Sequence, residues 1–178
     1  MSELRNDPRE LARAILEAQE QGLDTGALAF AMAKGECPTI QDFLASKNWL
    51  GGAEIWDSIK ELMFLIRQPG VQEFYLEIGK GGGKSTIVSV DQFYSVTELM
   101  HLNGGDPHGF FGLDPGKPIV CLTVSTSEAQ AKTTVFAKLK SYVHRVPFFK
   151  GRYETFKSSI VFDRSDLYPE GKVLALCG

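Results

Sequence analysis

The sequence predicts an α/β domain behind a helical lead-in, and three observations predict it. Up to about residue 67, apolar residues recur at helical spacing. After Pro69-Gly70 the pattern changes to short, β-prone apolar runs alternating with amphipathic stretches. Between the first such run and the next helix lies a glycine-rich turn, Gly79 to Gly83. The chain therefore divides into a helical region over residues 1–67 and an α/β unit over residues 68–178. A mostly parallel sheet with helices on its faces is expected for that unit.

The elements follow in order. Asp7-Pro8-Arg9-Glu10 reads as a helix start, with a capping aspartate, proline at the first helical position and glutamate three residues on. Leu11, Ala14, Ile15 and Ala18 share one face, and Gly22 ends that helix. A second helix spans about Thr25 to Ala33. Pro38-Thr39 opens a third, carrying Phe43 and Leu44. Gly51-Gly52 breaks the chain before a stronger helix with an apolar stripe of Ile55, Ile59, Leu62, Met63 and Ile66. Phe74 to Ile78 is a β-prone run that leads into the glycine turn, and Ser85 to about Leu102 is the helix behind it. Asn103 to Pro118, rich in Gly, Pro and Asp, reads as a long loop. The nearly continuous apolar run Ile119 to Val124 predicts a buried parallel strand. Ser127-Glu128-Ala129-Gln130 resembles a capping box before a helix carrying Ala131, Val135, Leu139 and Val143. Ser159 to Phe162 and Lys172 to Leu176 read as two strands around a turn at Tyr168-Pro169-Glu170-Gly171.

Composition narrows the function classes. The chain has 178 residues, enough for one domain with a real core, and 43% hydrophobic residues. No apolar run reaches the roughly 18 residues of a membrane span, and the charged N-terminus lacks a signal-peptide apolar region. A cytoplasmic protein without a membrane partner is expected. The three cysteines, Cys37, Cys121 and Cys177, are far apart and read as reduced thiols. The net charge of −3 argues against a dedicated nucleic-acid module, but the charge is unevenly placed. Residues 1–78 carry 7 basic and 13 acidic side chains, whereas residues 132–157 carry 7 basic ones against Glu154 alone. That basic stretch reads as a solvated helix face, with a phosphate-backbone contact zone as the alternative.

The chemistry concentrates in Gly79-Lys80-Gly81-Gly82-Gly83-Lys84-Ser85-Thr86. A glycine-rich turn between a β-run and a helix lets backbone N–H groups converge on phosphate oxygens without a Cβ in the way. The following helix adds the partial positive charge of its N-terminus. In such a phosphate-binding loop, or P-loop, Lys84 reaches the β- and γ-phosphates and the Ser85 hydroxyl ligates Mg²⁺. The common spacing places the first glycine at position 78, which is Ile78 here. The loop is thus one residue shorter and holds a second cation, Lys80, which either faces solvent or helps neutralise charge in phosphoryl transfer.

A loop of the form G-[RK]-x-x-G-K-[ST], behind a helical lead-in and a β-run, resembles that of the large terminase subunits of tailed bacteriophages. These are the ATP-driven motors that package viral DNA. Further stretches are similar: Phe110-Phe111-Gly112-Leu113-Asp114-Pro115-Gly116-Lys117-Pro118-Ile119, Val124 to Lys132, Val135-Phe136 and Val146-Pro147-Phe148-Phe149. Val173 to Gly178 looks like that family's next strand, and the likeness covers roughly residues 40–178. It implies ATP and Mg²⁺ as ligands, with Gly79, Lys80, Gly81, Gly82, Gly83, Lys84, Ser85 and Thr86 around the nucleotide. Lys84 and Lys80 take the catalytic roles, Lys80 in place of the family's loop arginine, and Ser85 holds the metal. Double-stranded DNA, the portal and the small terminase subunit become the partners of a full-length homo-oligomer in the host cytoplasm. The family often reads adenine with an upstream glutamine, but Ile55-Trp56-Asp57-Ser58 has none. Trp56 is left either to stack on the base or to join the core.

Hydrolysis also requires a carboxylate pair at the end of a later strand. No apolar run here ends in Asp-Glu: Ile160-Val161-Phe162 is followed by Asp163-Arg164, and Asp163 reads as a turn residue. The family's nuclease domain has no counterpart either. The sequence therefore leads us to expect an incomplete P-loop domain, the front part of a longer motor. Two rivals remain open: another P-loop enzyme, such as a helicase-like ATPase or small kinase, and a non-catalytic DNA-binding or assembly fragment.

Overall fold

A computed structural model of the chain describes residues 13, 16–22, 25–68, 71, 73–124, 131–163 and 172–177. In chain order the elements are α1 (16–20), α2 (Thr25–Ala33), α3 (Ile40–Ala45), α4 (Asp57–Ile66), α5 (Lys84–His101) and α6 (Pro107–Phe111). They continue as β1 (Ile119–Thr123), a π-helical segment (Ala131–Phe136) running into α7 (Ala137–Arg145), β2 (Tyr153–Thr155), β3 (Ser159–Asp163) and β4 (Lys172–Cys177). The expected helix start at Asp7, the turns at Pro69-Gly70 and Tyr168 to Gly171, and the capping box at Ser127 lie outside the described residues. No helix among the described residues is long and apolar enough to cross a membrane.

Local chemistry accounts for most of the helices. The Thr39 hydroxyl caps α3 by accepting from the Asp42 N–H at 3.1 Å. In α4 the stripe works as expected, with Ile59, Met63 and Ile66 buried. The stretch after α5 is more structured than a long loop. Leu102–Gly105 forms a 3₁₀ turn, and Asp106 caps α6 by accepting from Gly109 N–H at 2.8 Å, with Pro107 in the first helical position.

The four strands form one sheet in the order β1-β4-β3-β2. Only β1–β4 is parallel; β4–β3 and β3–β2 are antiparallel. Among the described residues this replaces the mostly parallel sheet expected from sequence. The reason is connectivity: β1 reaches β4 only after α7, whereas short links join β2 to β3 and β3 to β4, and short links favour antiparallel neighbours. A second correction concerns Phe74 to Ile78. The run forms no strand, and Tyr75 is 91% exposed. A third concerns β1, which lies at a sheet edge with Val120, Leu122 and Val124 exposed rather than buried on both faces.

The core gathers around α5. Val90, Phe93 and Val96 are fully buried within it, and Phe93 packs on Phe43 of α3 and on Phe149 with ring centroids 5.4 and 5.1 Å apart. Phe149 in turn meets Phe162 of β3. Each such buried ring contributes roughly 2–3 kcal/mol by area removed from water. Residues before 67 and after 84 share this one cluster.

Charge reinforces the packing on one side of α5. Arg67, just past α4, donates to Asp91 Oδ1, the Asp91 carbonyl, Ser95 Oγ and Glu98 Oε2 at 2.6–3.1 Å. Glu98 also pairs with Lys34 beyond α2. Arg67 is largely buried, so removing it leaves Asp91 without its counter-charge and Glu98 with Lys34 alone. Arg67→Ala is expected to lower unfolding free energy by about 2–3 kcal/mol. Lys60→Ala, which breaks only the exposed pair with Asp57, should cost far less. Urea unfolding of both variants checks the contrast.

Burial also pushes the Cys37 thiol up to about 12 and the Cys121 thiol up to about 11, from 9.0. A folded state that holds these protons more tightly than the unfolded state keeps its full stability below pH 9. It loses stability as pH rises from 9 towards 11–12. Unfolding midpoints between pH 7 and 10.5 should therefore be flat to about pH 8.5 and then decline, less steeply in Cys37→Ala.

Candidate phosphate-binding site

The glycine turn is shaped by close approach as much as by φ. Gly81 and Gly83 have φ of 86° and 84°, in the left-handed region that disfavours side chains. A Cβ on Gly83 would sit 2.7 Å from Ile59 Cδ1 of α4, and one on Gly82 would sit 2.3 Å from Ile78 Cγ2. The loop is thus laid directly over α4. Gly82 N–H donates to Gly79 O at 3.2 Å, which closes the turn.

Behind the turn, Thr86 and Ile87 donate their N–H groups to Gly83 O at 2.8 and 3.0 Å. The N–H groups of Gly83, Lys84 and Ser85 have no acceptor among the described residues. They lie at the positive end of an 18-residue helix, where an anion is favoured. Lys84 folds back over the turn and donates to Ile78 O at 2.7 Å and Gly79 O at 3.0 Å. Lys80 is exposed and has no hydrogen-bond or ion-pair partner among the described residues. The Ser85 hydroxyl is likewise without a partner there, while Thr86 is buried and its hydroxyl accepts from Lys138 Nζ of α7.

This geometry coincides with a match to a known family. The family model described as "Uncharacterized protein MJ0330, N-terminal P-loop domain" matches residues 66–165, more than half of the chain. The chain belongs to this P-loop family. No curated protein and no solved structure matches it.

In a P-loop domain the surroundings of the loop decide what it can do. Trp56, which precedes α4, is 60% exposed and lies beside Gly83, so it does not join the core. On the other flank, Phe74, Leu76, Ile78, Lys84, Ile87 and Asp91 line an apolar cavity of about 330 Å³. Asp91 is the carboxylate in that lining, and Arg67 holds it. Asp163 is at the wrong end of the sheet for this site. It pairs with Lys172 at the start of β4, whereas Val88 of α5 shares a cavity with Val124, just past the end of β1. Among the described residues no group of three His, Cys, Asp or Glu side chains could hold a metal ion. The Ser85 hydroxyl, without a partner among the described residues, is the loop group that could hold a Mg²⁺ ion.

The basic residues are spread over several elements, and Lys138, Arg145, Lys150 and Lys157 are exposed. Lys140 donates to Phe156 O and Arg145 to Gly52 O, Arg152 lies over the Phe148 ring, and Lys138 turns to the loop. Sequence reading missed the contact of Lys138 with Thr86. Its one signal was membership of the basic run, and which member reaches the loop depends on how α7 docks. The geometry of the turn makes a direct test. Gly83→Ala should cost about 1–3 kcal/mol for the left-handed φ alone, and more through the Ile59 contact. Gly79→Ala meets nothing within 4 Å and should stay within about 0.5 kcal/mol of wild type. Chemical denaturation of the two variants checks the difference.

Proposed function

We propose that this chain is the nucleotide-binding part of a terminase large subunit, an ATP-driven motor that packages viral DNA. The observation that carries the nucleotide reading is the P-loop itself, with free N–H groups at the start of α5 and Lys84 poised over the turn. The narrower motor reading is supported by the shortened spacing, by the unpartnered Lys80 inside the loop, and by the likeness of residues 110–119 and 124–132 to that family. ATP binds with its phosphates against Gly79 to Thr86. Lys84 exchanges two carbonyls for β- and γ-phosphate oxygens, and Lys80 neutralises the outer phosphate charge. Ser85 would supply a protein ligand to Mg²⁺, which would help neutralise the phosphate charge.

In the full-length protein, a homo-oligomer in the host cytoplasm would couple this site to double-stranded DNA, the portal and the small subunit. By itself the chain grips nucleotide, and Asp91, the carboxylate lining the cavity beside the loop, is held by Arg67 rather than free to activate water. That observation favours weak or absent turnover. Steady-state assays should give little phosphate release from ATP, and substantial release that disappears in Lys84→Ala would refute this reading.

Trp56 supplies the base platform. Its indole makes no ring contact among the described residues and stands exposed beside Gly83. Titrating ADP or ATP should quench tryptophan fluorescence in wild type and Trp49→Phe but not in Trp56→Phe. Pyrophosphate, which has no base, should leave the signal unchanged.

A further inference from the structure

We propose that Lys138 is a third cation of the phosphate site, touching the anion from the side of α5 opposite Lys84. The inference rests on the nucleotide-binding reading above. At about 100° per residue, Lys84 and Thr86 project roughly 200° apart around the helix axis. The neighbours agree. Lys84, Ile87, Val88 and Asp91 face the cavity beneath Phe74 to Ile78, whereas Ser89, on the Thr86 side, donates to Val135 O in the segment before α7. Lys84 therefore closes one flank of the helix N-terminus, and Lys138, bound to the Thr86 hydroxyl, closes the other.

The electrostatics give Lys138 a reason to bind an anion. A lysine ammonium has three donors, and the Thr86 hydroxyl is the partner that Lys138 has among the described residues. Arg67 and Lys34, by contrast, are paired with Asp91 and Glu98. Among the described residues Lys138 makes no ion pair with a carboxylate, and it lies against the first turn of α5, whose partial charge has its own sign. A phosphate seated on the free N–H groups of Lys84 and Ser85 reverses that balance. The anion attracts both the helix end and the ammonium. The ligand class is a nucleoside di- or triphosphate, held between two lysines.

Calorimetric titration of ADP and ATP with Mg²⁺ onto the full chain tests this, using wild type, Lys84→Ala, Lys138→Gln, Lys138→Arg and Thr86→Val. Loss of one charge-assisted contact predicts about tenfold weaker binding by Lys138→Gln. Lys138→Arg should stay within about threefold, and the unliganded melting temperature should be unchanged in both. Raising salt should weaken wild-type binding more than Lys138→Gln binding. Thr86→Val, which removes the tether but keeps the cation, should lose less affinity than Lys138→Gln. Wild-type affinity in Lys138→Gln alongside lost binding in Lys84→Ala overturns the Lys138 proposal and leaves the nucleotide reading standing. Equal losses of affinity and of unliganded stability in Lys138→Gln and Lys138→Arg make Lys138 a packing residue, which also overturns it. If wild type binds neither nucleotide, the nucleotide reading falls and takes this proposal with it.

Discussion

Arg67 fixes the geometry on which the glycine loop depends. Its guanidinium ties the end of α4 to Asp91, Ser95 and Glu98 of α5, and Glu98 passes the connection to Lys34 beyond α2. With α4 held alongside α5, Ile59 and Trp56 lie under the turn, and Ile59 leaves no room for a side chain on Gly83. The loop is therefore braced by the helical lead-in as well as by the helix it opens. An ion network two turns into α5 sets where an anion can sit at its start. The planar, multidentate guanidinium suits this task, because one residue holds carboxylate, hydroxyl and carbonyl acceptors at fixed angles.

The site's electrostatics follow from what its cations do not touch. Lys84 rests on two carbonyl oxygens, Lys138 on a hydroxyl, and Lys80 on nothing among the described residues. Carbonyl and hydroxyl dipoles hold an ammonium in place without cancelling its charge, so these contacts can be exchanged for phosphate at modest cost. A carboxylate in the same place would compete with the ligand. Asp91, the carboxylate that lines the adjoining cavity, is held by Arg67. The ion network thus has a second effect: it keeps the cavity's acid from neutralising the loop lysines.

Much of this was legible in the sequence where the deciding physics is local. The glycine spacing announces a phosphate loop because the conformation it needs is open only to glycine. The α4 stripe and the Thr39 cap worked for the same kind of reason. What failed was decided at long range. The orientation of β3 against β4 depends on which strands the connections allow to meet, and no period in the sequence carries that. The helix at Pro107 was readable from Asp106-Pro107 but was submerged in a glycine-rich composition. Trp56 illustrates the limit most clearly. Its position next to a stripe of core residues says nothing about which way a residue at the helix entrance will face.

Two apolar runs, Phe74 to Ile78 and Ile119 to Val124, sharpen the point. Both are composed as buried strands, yet the first is unpaired and the second shows Leu122 at 60% exposure on a sheet edge. The cavities beside them share Val88 and Asp91 of α5, so the helix that carries the loop is bordered by both. An edge strand with an apolar row is an unfavourable surface to leave to water. Composition here specifies how much surface should be buried, whereas topology specifies whether it is. The phosphate loop escapes this conflict because its function needs exposure. Its N–H groups must remain unsatisfied by protein, and among the described residues Gly83, Lys84 and Ser85 leave theirs so.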